Sequence, residues 1–304
     1  ENIMIPRSYF IPFANLDELA KTDIRNERYS SSRVECLSGE WDFVYYSNCK
    51  MVDNFFDTEK IKFDKVNVPS MWQYTGYEKP YYVNTRYQFK PNPPHIPEDC
   101  PVGIYRRFID IDNLDLNYTL AFLGVAGSLE LFCNGKYVGY SEGSHNTAEF
   151  ELNDFLVKGK NEIVVQNHKW TNGTYLEAQD MFRSNGIFRD VLLYKTGNNS
   201  IYDFEAKISF GSSFSLDFLP SLKISDDCVL TVSLYDDGEI VSSKSVNVSP
   251  SNIEKISFNN LDVHKWSAEC PYLYDLVIIL SKGEDVIEVV RKNIGFKNVE
   301  IIGN

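Results

Sequence analysis

The sequence predicts an all-β chain of two domains in tandem, and three observations carry that prediction. Apolar and polar residues alternate over short runs, as in EWDFVYY (40–46), which is the period of a half-buried strand. Turn-forming pairs, Asn134-Gly135 above all, sit between such runs. A polar segment, KTGNNS (195–200), then divides a longer first half from a shorter and simpler second half.

The totals agree with two domains. The chain has 304 residues, 43% of them hydrophobic, enough to bury two ordinary cores. A net charge of -13 and a pI near 4.8 argue against nucleic acid or an anionic membrane as partner, since both demand a basic face. No apolar run approaches the ~20 residues of a membrane span. The opening ENIMIPRSYF lacks the basic start and apolar core of a secretory signal, although the chain does not begin with Met and a removed leader stays open. The six cysteines have no metal-site spacing, and a chain of this size does not need disulfide staples. They are read as reduced thiols, and a cytoplasmic location is expected.

Taken in order, residues 1–35 show no sustained period beyond a hint of helix at 16–20, and are expected to form an arm lying over the first domain. Trp41, Phe43 and Tyr45 share one face of the first strand. Residues 73–103 lack a clean period and are rich in Tyr and Pro; a stretch of that length without structure usually marks a functional loop. Inside it, two prolines after Asn92 stiffen the backbone, which could fix an amide able to both donate to and accept from hydroxyl groups. The ordinary alternative is an Asn that starts a turn. LELFC and KYVGY (129–133 and 136–140) flank Asn134-Gly135 as a hairpin. Residues 162–166 give a further strand. Beyond the polar break, runs at 229–235, 239–248, 276–280, 286–290 and 298–302, with turn residues between them, suggest an immunoglobulin-like sandwich over 201–304.

The segment TYLEAQDMFRSNGIFRDVLLY (174–194) is the densest in residues that need explaining. Asp180 stands beside Met181 and Phe182, and a carboxylate among large apolar groups must be paired, hydrogen-bonded or bound to a cation. By chemistry alone a structural pairing with Arg183 or Arg189 is the ordinary reading. Gly186 then breaks the run. Three other constellations carry little. Gly139-Tyr140-Ser141-Glu142-Gly143 matches G-x-S-x-G, but a strand rather than a helix follows it. The four histidines lie far apart, so a His-based metal site is not expected. Glu177 and Asp180 could approach each other in a helical turn, but nothing rigid is in sight to hold a glycosidase pair at about 5–5.5 Å.

LEAQDMFRSNGIFRDV (176–191) resembles the segment that closes the first domain of bacterial β-galactosidases of glycoside hydrolase family 2. SGEWDF (38–43), VPSMWQYTGY (68–77), NPPHIP (92–97), the stretch from 131 to 165, KWSAECPYLYDLVIIL (265–280) and IGFKNVEI (294–301) resemble further elements of that family, in its order. The resemblance implies an arm over 1–35, a jelly-roll (galactose-binding-like) sandwich over 36–197 and the immunoglobulin-like sandwich over 201–304. It implies that Asn92 and Asp180 contact the galactose and that Asp180 helps hold a sodium ion. The catalytic glutamates and the magnesium site would lie on a TIM barrel beyond residue 304. This chain would then be the inactive N-terminal piece of a retaining β-galactosidase, a homo-oligomer in its parent form, that walls the active site for substrates such as lactose. Its partners would be that barrel and a β-galactoside. Two alternatives stay open: a free-standing carbohydrate-binding module, and a piece of a β-glucuronidase or β-mannosidase of the same family.

Overall fold

A computed structural model of the chain describes residues 4–23, 26–52, 57–84, 86–177 and 180–303. The chain divides into two compact units, one formed by residues 1–6 and 35–195, the other by residues 7–34 and 196–304.

In the first unit, a six-stranded antiparallel sheet runs in the order Lys136–Ser141, Leu129–Cys133, Gly159–His168, Val102–Ile111, Gly39–Tyr46, Asp64–Val68. The second sheet follows the order Ala148–Glu151, Asn117–Phe122, Val191–Thr196, Val34–Cys36. Their inner faces share one core, in which Trp41, Phe43, Trp72, Tyr105, Phe122 and Phe150 are all buried. The alternation read from EWDFVYY holds: Trp41 and Phe43 are buried, and Tyr45 is half-buried against the same core. The hairpin forms as its dipeptide demands, with Asn134 at φ 51° and Gly135 at φ 75°, the left-handed pair of a type I′ turn. This unit is a jelly-roll sandwich.

The second unit has a five-stranded sheet in the order Pro12–Phe13, Asp285–Ile294, Tyr274–Lys282, Cys228–Asp236, Glu239–Val248. A three-stranded sheet made of Ser200–Phe210, Phe214–Lys223 and Ile256–Leu261 accompanies it. Leu230, Val232, Leu234, Phe218, Phe258 and Ile278 fill the core of this immunoglobulin-like sandwich. The strands at 200–210, 214–223 and 256–261 escaped the sequence reading, and residues 298–302, expected as a strand, carry no regular structure.

The arm corrects an expectation. Residues 7–34 group with the second unit, where the sequence reading attaches the arm to the first domain. Pro12 and Phe13 pair with Val290 and Val289 at the edge of the five-stranded sheet. Phe13 and Leu19 bury with Val277 and Val289, while Phe10 packs on Phe204 at 5.6 Å between ring centroids. The physical reason is an edge: an open strand end with apolar neighbours accepts a short strand that brings its own apolar side chains. The helical hint becomes the helix Leu16–Lys21, started by Asn15, whose side chain accepts from the Glu18 N–H at 2.8 Å. Glu18 in turn accepts from the Ala14 N–H at 2.8 Å, one residue ahead of the cap, so the helix start is tied from both sides.

Candidate functional site

The dense segment folds into a two-stranded ribbon within the first unit. Met181–Arg183 pairs with Tyr81–Val83 in the register Met181↔Val83, Phe182↔Tyr82, Arg183↔Tyr81. The region expected to lack structure therefore supplies one of the strands. Gly186 ends the segment at φ 128°, a backbone conformation that favours glycine. A Cβ there would stand 2.8 Å from both the Ser70 carbonyl and the Tyr105 hydroxyl.

Asp180 stands at the end of the ribbon where Met181 pairs with Val83. Its N–H donates to the Asn84 carbonyl at 3.2 Å, continuing the ladder one residue past the strands. Its φ of 51° puts it in the left-handed region, which Asp tolerates better than most residues but at some cost. The side chain is exposed and accepts a hydrogen bond from the Tyr82 hydroxyl. That carboxylate pushes the Tyr82 hydroxyl pKa up. The expected arginine partners are engaged elsewhere. Arg183 donates to the Val83 carbonyl at 3.0 Å, and Arg189 to the Leu123 and His145 carbonyls at 3.3 and 3.1 Å. Burial lowers the Arg183 pKa, and its Nη1 is enclosed without a hydrogen-bond partner among the described residues.

Asn92 lies on a separate exposed loop, fastened to the short helix Thr174–Glu177. The Asn92 N–H donates to the Tyr175 hydroxyl at 3.1 Å, and that hydroxyl donates to the His95 carbonyl at 2.6 Å. Tyr87 ties the loop again by donating to the Tyr175 carbonyl at 2.8 Å. The Asn92 carbonyl accepts from the His95 N–H at 2.8 Å, the turn of the ordinary reading, and its N–H goes to Tyr175, three residues before the undescribed pair Ala178 and Gln179 that precedes Asp180. The residue bonded to the Asp180 N–H is Asn84, through its backbone carbonyl, and the sequence reading passed over it. The signal available was the pairing of YYV (81–83) with MFR (181–183), but a three-residue run is too short to be read as a strand.

Glu177 does not form a catalytic pair. Its carboxylate accepts from the Ser144 N–H at 2.9 Å and the Ser144 hydroxyl at 2.6 Å, which anchors the helix to the loop after Lys136–Ser141. Ser141 of the G-x-S-x-G match lies on that strand with its hydroxyl donating to the Glu142 carbonyl, so no nucleophile elbow exists there. A cavity of about 430 Å3 flanks the ribbon, lined among others by Met181, Phe182, Arg183, Trp170, Phe188 and Tyr74.

Residues 34–197 match the family described as "Glycosyl hydrolases family 2, sugar binding domain", and residues 221–297 match "Glycosyl hydrolases family 2". The chain belongs to glycosyl hydrolase family 2. Within that family it is 33% identical over 287 residues to a β-galactosidase of Alteromonas mediterranea, covering 87% of this chain and 28% of that one. It is 32% identical over 308 residues to a β-galactosidase of Staphylococcus xylosus, covering 100% of this chain and 29% of that one. The family 2 chain thus spans less than a third of the length of the curated relatives it matches. Among solved structures, a β-glucuronidase from Ruminococcus gnavus superposes with a TM-score of 0.69 at 18% identity, over 89% of this chain and 45% of that one. A mutant of Bacteroides uniformis β-glucuronidase 2 gives 0.68 at 19% identity, over 86% and 32%. At those identities the likeness concerns the fold.

The ions implied by family resemblance fit this family 2 chain unequally. Asp180 offers an exposed carboxylate oxygen, a hard ligand suited to one position of a sodium site. No group of three or more His, Cys, Asp or Glu side chains able to hold a metal occurs among the described residues, so these supply no ready magnesium cage. No helix among them is long and apolar enough to cross a membrane.

Proposed function

We propose that this chain is the N-terminal, non-catalytic part of a retaining β-galactosidase, acting on terminal β-D-galactosides such as lactose. In this reading Asp180 and Asn92 reach over the mouth of a catalytic barrel and hold the galactosyl hydroxyls. Asp180 also supplies one ligand to a sodium ion, while magnesium and the catalytic glutamates belong to the barrel. The contribution is positioning: holding a substrate in a reactive geometry lowers the barrier without a bond being made by the holding group. The observation that carries the reading is Asp180 itself. It is an exposed carboxylate in a left-handed backbone conformation at the end of a ribbon, within a segment resembling β-galactosidases. The identity of about a third to named β-galactosidases over nearly the whole chain favours that substrate over β-glucuronides and β-mannosides.

The test is made in the complete galactosidase that carries this chain. Asp180→Asn lowers kcat/KM for a nitrophenyl galactoside by about a hundredfold or more, as loss of a charged positioning contact does. Asn92→Ala lowers it less, and Asn84→Ala serves as a comparison from the same ribbon end. Unchanged kinetics for Asp180→Asn and Asn92→Ala would remove both from the site. Calorimetric titration of the isolated chain with galactosides decides the alternative, because a free-standing binding module would bind them without any barrel.

A further inference from the structure

Among the described residues, the ribbon that ends in Asp180 is a two-stranded sheet paired to no other strand, with Tyr81, Tyr82, Met181 and Phe182 all exposed. Two strands alone are marginal in water. Glu177 on Ser144 holds the chain ahead of Asp180, and a second attachment lies at the other end, the base, where Tyr81 faces Arg183.

A buried polar cluster sits there. Gln73 is 4% exposed. Its Oε1 accepts from the Asn185 N–H at 2.7 Å, two residues past Arg183. Its Nε2 donates to Glu78 Oε2 at 2.8 Å, three residues before Tyr81, and to Asn185 Oδ1 at 3.3 Å. A single amide therefore ties the chain leading into one strand to the chain leaving the other. The Glu78 carboxylate is saturated by further donors: Lys169 Nζ at 2.8 and 3.1 Å, the Tyr45 hydroxyl at 2.9 Å and Trp72 Nε1 at 3.3 Å. Burial alone would raise the Glu78 pKa, but the bond and charge of Lys169, with Tyr45 and Gln73, outweigh it and hold it below the ordinary value. Asn185 closes the circuit, its Nδ2 donating to the Lys169 carbonyl at 3.2 Å and its carbonyl accepting from the Trp72 N–H at 3.0 Å. Trp72 is itself packed in the sandwich core. Each member has its partners, and a satisfied buried network has one geometry rather than several.

We infer that Gln73, Glu78 and Lys169 are positioning residues that set where the Asp180 carboxylate stands, by clamping both strands of its ribbon to the sandwich. The inference rests on the reading of Asp180 as a substrate contact. The lever is about five residues long, at 3.3 Å each, from Asn185 in the clamp to Asp180. A small rotation at the base becomes a displacement of an ångström or so at the end, which is enough to cost a positioned contact most of its worth.

Two measurements test this, on Gln73→Leu and on the milder Gln73→Asn, which keeps the amide but shortens its reach. In the 304-residue chain, amide exchange followed by mass spectrometry should quicken at least tenfold in 81–83 and 181–183. Exchange in Val102–Ile111 and Gly159–His168 should stay as it was. An unchanged ribbon, or a rise spread evenly over the unit, overturns the clamp. In the complete galactosidase, Gln73→Asn should lower kcat/KM by about tenfold, and add nothing when Asp180 is already Asn. A structural defect with no link to Asp180 would add its full cost in that background and overturn the inference. If Asp180→Asn alone leaves the kinetics unchanged, the reading of Asp180 fails and the clamp sets no site residue, while exchange still reports separately whether the ribbon is held there.

Discussion

Glu288 gives the second unit a pH dependence whose sign is unusual for a carboxylate. It lies on Asp285–Ile294, is 1% exposed, and accepts from the Ile201 N–H at 2.9 Å. Burial raises its pKa to about 7; the Ile201 bond and the charges of Arg33 and Arg7 pull the other way without cancelling it. A group whose folded pKa is raised favours folding while protonated. Its contribution is fully present below the unfolded value, near 4.5, and is lost as pH rises through about 7. With those two values the loss between pH 5 and pH 8 is about 2–3 kcal/mol. Glu288→Gln keeps the acceptor for Ile201 and mimics the protonated acid at every pH. Urea unfolding followed by circular dichroism should therefore find the variant close to wild type at pH 5. At pH 8 it should be more stable by about 2–3 kcal/mol, in one of the two transitions. An identical pH dependence in variant and wild type would refute the assignment, because it would mean that Glu288 does not titrate in this window.

Three further outcomes are expected. Gly186→Ala forces a side chain into the left-handed region against the Ser70 carbonyl and should lower the stability of the first unit by about 2–3 kcal/mol, read from its urea midpoint. Lys169→Met takes the cation from the half-buried Glu78 carboxylate, which keeps the Gln73, Tyr45 and Trp72 donors, at a cost of about 1–3 kcal/mol near neutral pH. The wild-type Glu78 contribution, from a depressed pKa, fades only as pH falls below the ordinary carboxylate value, whereas the variant should recover stability on acidification, which melting curves at pH 5 and pH 8 would show. Phe13→Ala empties a 2% exposed site under the arm and should cost about 3–5 kcal/mol, with limited proteolysis cutting first within residues 7–34.

The strands visible in the sequence were those that announce themselves locally. Trp41 and Phe43 alternate with polar neighbours, and Asn134-Gly135 dictates its own turn. Phe214–Lys223 alternates cleanly through Phe214, Leu216 and Phe218, and only Pro220 argues against a strand there, so its period was readable and was passed over. The ribbon was hidden because its strands are three residues long and their pairing spans about a third of the chain. Asp180 drew attention in the sequence only through the MFR segment beside it. The clamp was not, because Gln73, Glu78, Lys169 and Asn185 come from three distant stretches and are joined only by side-chain bonds. The arm was misplaced because a two-residue strand, Pro12–Phe13, has no period to read, and its destination is set by an edge elsewhere.

That arm makes the second unit discontinuous in the chain: its first piece is separated from the rest by the whole of residues 35–195. During synthesis at ~5–20 residues per second, residues 7–34 emerge tens of seconds before Val289 and Val290, the strand partners that cover Phe13. The jelly roll, closed by contacts within its own stretch, can complete itself in that interval. Phe10, Phe13 and Leu19 meanwhile wait uncovered, apolar and near a strand-forming segment. A segment that leaves the ribosome well ahead of its strand partners is thus among the last to find its place, and it is one that a holding chaperone would meet.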